Sequence, residues 1–288
     1  MILRFLIVTF KNRSLFLFKI YLVIDMARKI VVTSGKGGVG KTTVVANLGV
    51  ALSNLGQRVL LVDVDFGLNN LDVVLGVEGK VCYDICDVIE GRCRIKQALI
   101  QCAQKKNLFV MPSGNANNTT NIISGQSIRM LIDDISHVFD YVLIDCPAGI
   151  DVGFHRAVAC ADEAFIVATP NVTSLRDADK VVSVLSGYEL ENVGLIVNRA
   201  RGDLILNEKM MMPSDVSELL KVSLMGVLPE EDAVFLSSGY GLCTKTDSFK
   251  AYKILANNVH KGGKKMFDVT NKYSGLFGGI KRRLKGSL

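Results

Sequence analysis

The run Gly35-Lys36-Gly37-Gly38-Val39-Gly40-Lys41-Thr42 has residue types and spacing suited to holding a nucleoside triphosphate. Glycines at these positions let the backbone turn so that successive N–H groups face phosphate oxygens. A helix beginning at Lys41 would bring its positive end to the same place. In such a loop Lys41 neutralises β- and γ-phosphate oxygens and the Thr42 hydroxyl ligates Mg²⁺, with Thr43 next in the binding stretch. Three acids end or follow apolar runs elsewhere in the chain. Asp63 closes Val59–Asp63, Asp65 lies two residues beyond it, and Asp145 closes Tyr141-Val-Leu-Ile and precedes Cys-Pro-Ala-Gly. A carboxylate at the end of a parallel strand lies on the ligand-binding edge of an open sheet. Asp65 is the candidate for orienting an attacking water, Asp63 for supporting the Mg²⁺ shell, and Asp145, of Walker B form, for holding Mg²⁺ through water.

These residues need a scaffold, and the pattern from Met26 onward supplies one. Short runs rich in Val, Ile and Leu recur at 29–33, 59–63, 107–111, 141–145, 164–168, 193–197 and 224–228. They are continuously apolar rather than alternating, the mark of strands covered on both faces. Helical stretches fit between them: 41–55 ending before Gly56, 126–139, a stretch opened by Ser174-Leu-Arg-Asp in capping-box form and running to Leu185, and 248–259. The expectation is one α/β domain with a mostly parallel sheet and helices on both faces, spanning 26–260. Residues 261–273, with Gly262-Gly263 and Lys264-Lys265, are expected to be a mobile linker to a tail at 274–288.

A second lysine in the loop, Lys36, is not needed by the mechanism above. The string Lys36-Gly-Gly-Val-Gly-Lys41-Thr-Thr resembles the variant Walker A motif of the MinD/ParA family of P-loop ATPases. The resemblance extends from Met26 to the C-terminus through Gly67-Leu-Asn-Asn-Leu-Asp72, Asp145-Cys-Pro-Ala-Gly-Ile150, Ser174-Leu-Arg-Asp-Ala-Asp179 and Val227-Leu-Pro-Glu-Glu-Asp232. Its wording is closest to plastid and cyanobacterial members, and departures lie in 1–25 and 115–124. The resemblance implies an ATPase that dimerises around ATP and associates with membrane to position the division site. It implies that Lys36 crosses to the partner subunit's phosphates, in the manner of an arginine finger. It also implies that Asn198 contacts adenine, with the loop from Pro229 on the other side of the base. A MinE-type activator and, where present, a MinC-type inhibitor would be partners, with Asp177 and Asp179 in a surface segment for partner contact.

The tail carries physics of its own. On a helix Leu276, Phe277, Ile280, Leu284 and Leu288 fall along one stripe flanked by Lys281, Arg282, Arg283 and Lys285. A basic amphipathic segment of this kind suits an anionic membrane surface. Gly275, Gly278, Gly279 and Gly286 oppose helix in water, so the tail is expected to become helical on binding. Two such tails on a dimer would bind far better than one.

Charge narrows the alternatives. The net +6 resolves into +3 on residues 1–25 and +5 on 272–288, leaving −2 on the body. A mildly acidic body argues against a ParA-like DNA-partitioning ATPase, which would need basic residues there, and no specific nucleic acid is expected as a partner. A non-hydrolysing membrane scaffold is disfavoured by the presence of Lys36 and Asp65, and an iron–sulfur carrier by the absence of Cys-x-x-Cys. The seven cysteines match no metal pattern and are expected as reduced thiols. Residues 1–25 read as an upstream extension, disordered or untranslated, since the apolar run is short for a span and lacks a cleavage site. The expected location is the chloroplast stroma, peripheral on the inner envelope membrane, with a bacterial cytoplasm and inner membrane as the alternative.

Overall fold

The computed structural model describes residues 26–66, 70–103, 105–114, 123–232, 234 and 246–274, with the backbone of 4–8 and 19–23. Strands β1 (Arg4–Val8) and β2 (Lys19–Val23) pair antiparallel as a sheet of their own. The main sheet starts after Met26. It is assembled from β3 (Arg28–Thr33), β4 (Val59–Asp63), β5 (Ile100–Gln101), β6 (Leu108–Met111), β7 (Tyr141–Asp145), β8 (Glu163–Ala168), β9 (Asn192–Ala200) and β10 (Ser223–Pro229), in the spatial order β10-β9-β8-β3-β7-β4-β6-β5. Every pairing in it is parallel except that of the two-residue edge strand β5 with β6.

Alternate residues of the central strands feed two cores. Val31 of β3 and Val142 and Ile144 of β7 face one side, while Ile30, Val32, Tyr141 and Leu143 face the other. The first side is covered by α3 (Ile85–Ile89), α4 (Gly125–Ser136), α5 (Val152–Val158), α6 (Val172–Leu185) and α8 (Pro213–Leu220). The second is covered by α1 (Lys41–Asn54), α2 (Leu71–Val74) and α9 (Asp247–Lys261); the short α7 (Gly202–Ile205) follows β9. Being buried on both faces is why these strands carry no polar alternation. Among the described residues no helix is long and apolar enough to cross a membrane. The six described cysteines are free thiols, and burial pushes Cys146 and Cys160 up to about 12.

The seven expected strands are all present within a residue or two, except that β9 runs on to Ala200. Two expectations are corrected. Helix α6 begins at Val172, capped by Asn171, whose side chain accepts from the Ser174 N–H at 2.9 Å. Ser174 is therefore inside the first turn, buried, with its hydroxyl accepting from the Thr169 N–H at 3.0 Å. The strand β5 and helix α8 were not anticipated, the first being too short to show a period and the second having only two buried positions. Residues 261–273 do not stand free as a linker: α9 extends to Lys261, and Val269 and Tyr273 beyond it are buried. Glycines and lysines set the expectation of mobility, but apolar residues spaced among them seat the segment.

Phe165, fully buried on β8, packs in the core shared with α1 and α9. Phe165→Ala should destabilise the fold by about 3–5 kcal/mol, read by chemical denaturation.

Candidate nucleotide site

The glycine loop connects β3 to α1 at the C-terminal edge of the sheet, on its central strand. Its last glycine, Gly40, has φ 97° and precedes the first helical residue, so the chain enters α1 from a conformation that side-chain-bearing residues resist. Gly35 is required for a different reason. A Cβ there would lie 2.2 Å from the Asp177 carbonyl oxygen, because α6 packs directly on the loop. Gly37 and Gly38 are exposed at the tip, and Val39 is buried beneath it.

The two lysines are placed differently. Lys41 is 8% exposed and donates to the Ser34 hydroxyl at 3.0 Å; that hydroxyl in turn donates to the Lys36 carbonyl at 2.8 Å. Lys36 is on the surface of the loop, where its ammonium donates to the Thr173 hydroxyl of α6 at 3.1 Å. One lysine is thus held inside the cradle and the other outside it.

The strand-end acids Asp63 and Asp145 lie on the same edge of the sheet as the loop. Asp63 and Asp145 are register partners on neighbouring strands, and both are almost fully buried. Asp63 accepts from the Asp65 N–H at 2.8 Å and the Leu71 N–H at 3.2 Å, one on each carboxylate oxygen. That is the geometry of a loop anchor, and it fixes the backbone of Asp65, whose carbonyl accepts from Ser113 Oγ at 3.2 Å. In Asp145, Oδ1 is buried without a hydrogen-bond partner. Burial, then repulsion from Asp63, raises the Asp145 pKa well above the carboxylate range, opposed by the Thr42 hydroxyl and by Lys41. Burial likewise raises Asp63, against the pull of its backbone donors. An uncommitted buried carboxylate oxygen beside a threonine hydroxyl is a hard-oxygen donor set of the kind Mg²⁺ takes.

Two recesses flank the loop. One is lined by Gly40, Thr43, Asn198, Arg199 and Pro229 with Glu230 and Glu231. The other is lined by Lys36, Gly37, Gly38 and Val39 with Thr169, Asn171, Arg199 and Met210. Asn198, assigned to the base from resemblance, donates its amide to the Val39 carbonyl at 2.8 Å and so also braces the loop.

A family model described as an AAA domain matches residues 27–193. The septum site-determining protein MinD of Synechocystis is 44% identical over 216 residues, 75% of this chain and 81% of that protein. The chain belongs to the MinD family. Among solved structures, MinD in the MinC:MinD cell division protein complex of Aquifex aeolicus is similar at a TM-score of 0.76 and 38% identity, covering 83% of this chain and 98% of that one. MinD of Pyrococcus horikoshii, complexed with Mg-ADP, is similar at 0.73 and 32%, covering 82% and 97%.

The expected loop residues and strand-end acids therefore share one edge of a MinD-family fold. Leu276, Phe277, Ile280, Lys281, Arg282, Arg283, Leu284 and Lys285 lie outside the described residues. Sequence reading passed over Ser34, Thr173, Ser113 and Arg199. Ser34 adjoins the motif and Arg199 adjoins Asn198, so their positions were the only signal that could have found them. Thr173 and Ser113 reach the site only through the fold. Arg199 holds φ 55°, an unusual conformation for a non-glycine residue, and lines both recesses.

A carboxylate with a raised folded-state pKa favours the folded state when protonated, so its contribution is present at low pH and lost as pH rises. The window opens near the ordinary carboxylate pKa of about 4 and extends upward. Nucleotide-free Asp145→Asn should therefore melt above the parent at pH 8, with the gap narrowing toward pH 4. Thermal scans across that range check this.

Proposed function

We propose that the chain is an ATPase of the MinD division-site type that dimerises around ATP, cycles on and off a membrane, and uses hydrolysis as the release step. The observation that carries this reading is the split between the two loop lysines. Lys41 is buried where it can meet the chain's own nucleotide, whereas Lys36 is directed outward, where a second subunit could receive it. A single lysine would suffice for a site that works alone.

In this reading the loop amides and Lys41 bind the β- and γ-phosphates of ATP. Thr42 and Asp145, with Asp63 behind them, would hold the magnesium ion that neutralises phosphate charge. Asp65, fixed by its N–H to Asp63, orients the attacking water. Lys36 of each subunit adds positive charge at the other's phosphates as charge develops there. Asn198 and the Pro229 loop bound the recess that would take the base. The similarity to MinD complexed with Mg-ADP supports nucleotide and magnesium binding, and the similarity to MinD in a MinC:MinD complex supports a MinC-type partner. A MinE-type activator, and attachment of residues 274–288 to an anionic membrane, rest on the family and on the charge pattern of the tail. The cyanobacterial relative agrees with a plastid stroma or a bacterial cytoplasm as the setting.

Sedimentation with anionic vesicles in ATP or ADP, with phosphate release followed in parallel, tests the cycle. The parent should sediment with ATP and not with ADP, and Lys41→Ala should sediment with neither. Asp65→Ala should still sediment with ATP while turnover falls by about 10²-fold or more. Recruitment of Lys41→Ala at the parent level would remove the switch from this reading. Lys36→Ala should retain nucleotide binding yet lose turnover by about 10³-fold, the scale of an arginine finger.

A further inference from the structure

Helix α9 starts at the nucleotide edge, where the Ser248 N–H donates to Glu231 Oε2 at 2.8 Å just past the end of β10. It ends at the opposite edge, where the Val259 carbonyl accepts from Arg28 at the start of β3. A chain leaving α9 at Gly262 would therefore release the tail on the far side of the sheet from the nucleotide. The chain does not do so.

Residues 262–274 turn back and run beside β10 toward the nucleotide edge. Asn258 donates to both the Met225 carbonyl of β10 and the Lys265 carbonyl, at 2.9 and 2.7 Å, tying the returning segment to the edge strand. Met266, Phe267 and Val269 then pack with Ala200, Ile205 and Val227 in a small apolar cluster of their own. The approach is close: a Cβ on Gly202 would lie 2.0 Å from the Val269 carbonyl oxygen. Tyr273 is buried at the end of the segment, and Lys272 pairs with Asp247 at 3.1 Å, back at the first residue of α9. The last described residue, Ser274, is thus returned to the edge that carries the glycine loop.

We propose that residues 262–274 are a docked strap that fixes the root of the basic tail at the nucleotide edge, so that seating of the strap decides how well the tails of an ATP-bound dimer meet an anionic lipid surface. The inference rests on the membrane-cycling reading above. Two tails help each other only if both can reach the surface together, and their separation is set by where they are rooted. A root at the nucleotide edge places each tail exit on the edge where the proposed partner would sit. The strap also contacts a residue of the recess beside the glycine loop. Met210 lines the recess beside Lys36 and Gly37, packs against the strap's apolar cluster, and accepts from the Arg201 N–H through its sulfur at 3.3 Å.

The test displaces the strap without touching the tail or the nucleotide residues. Gly202→Ala puts a methyl group where the Val269 carbonyl now sits, and Phe267→Ala weakens the same docking by loss of contact. Each is compared with the full chain and with a chain ending at Ser274, using vesicles of phosphatidylglycerol and phosphatidylcholine with ATP, fluorescent-nucleotide affinity, and trypsin cleavage at Lys264, Lys265 and Lys272. Both variants should show faster cleavage in the strap, unchanged nucleotide affinity, and a fall of about ten-fold or more in ATP-dependent recruitment, the loss expected when paired attachment is compromised. Parent-level recruitment in both variants overturns the strap's role. If the chain ending at Ser274 is itself recruited, the tail reading falls instead, so the two failures are distinguishable.

Discussion

Burial of charge at the ends of an apolar sheet is the constraint around which this molecule is arranged. Lys41, Asp63 and Asp145 are each almost inaccessible to water, on strands and a helix whose buried groups are mostly aliphatic. Each charge needs a partner in the protein or in a ligand. Lys41 has the Ser34 hydroxyl and Asp63 has two backbone N–H groups, but Asp145 keeps one oxygen without a donor. The site therefore carries an unmet electrostatic demand that a bound divalent cation would satisfy.

That demand explains the tightness of the surrounding packing. The loop tolerates no side chain at Gly35 because α6 lies against it, and the amide of Asn198 braces Val39 from the β9 side. A cradle of backbone amides works only if it is held in shape before the phosphate arrives, since ordering it on binding would consume affinity. The parallel sheet supplies that rigidity. Its central strand leads into the loop, and its neighbours β7 and β8 are buried along their whole length.

Outside the cradle the same fold exposes the groups that would act on other bodies. Lys36 leans on Thr173 of α6, and the strap carries the chain from the far end of α9 back to the nucleotide edge. Both devices rely on α6, α7 and α9 converging on one edge, as the C-terminal ends of parallel strands force connecting elements to do.

Much of this was legible in the residues. The glycine spacing and the following Lys41 and Thr42 determine a phosphate loop, since only glycines permit its turns and only those side chains complete its charge and metal chemistry. Continuous runs such as Val59–Asp63 determine buried parallel strands because neither face can be wet. The order of acids after those strands places them on the ligand edge. Family-level identity followed from Lys36. Tertiary structure decided what depends on approach between distant segments. Asn171 rather than Ser174 caps α6, because capping depends on where Thr169 and its turn sit. Asp63 accepts from the Leu71 N–H, and Thr173 receives Lys36 from 137 residues away. Residues 262–274 carry Gly-Gly and Lys-Lys, local marks of a flexible linker. They dock because Phe267, Val269 and Tyr273 find an apolar surface formed by β9, α7 and β10, and only the folded chain brings those elements together.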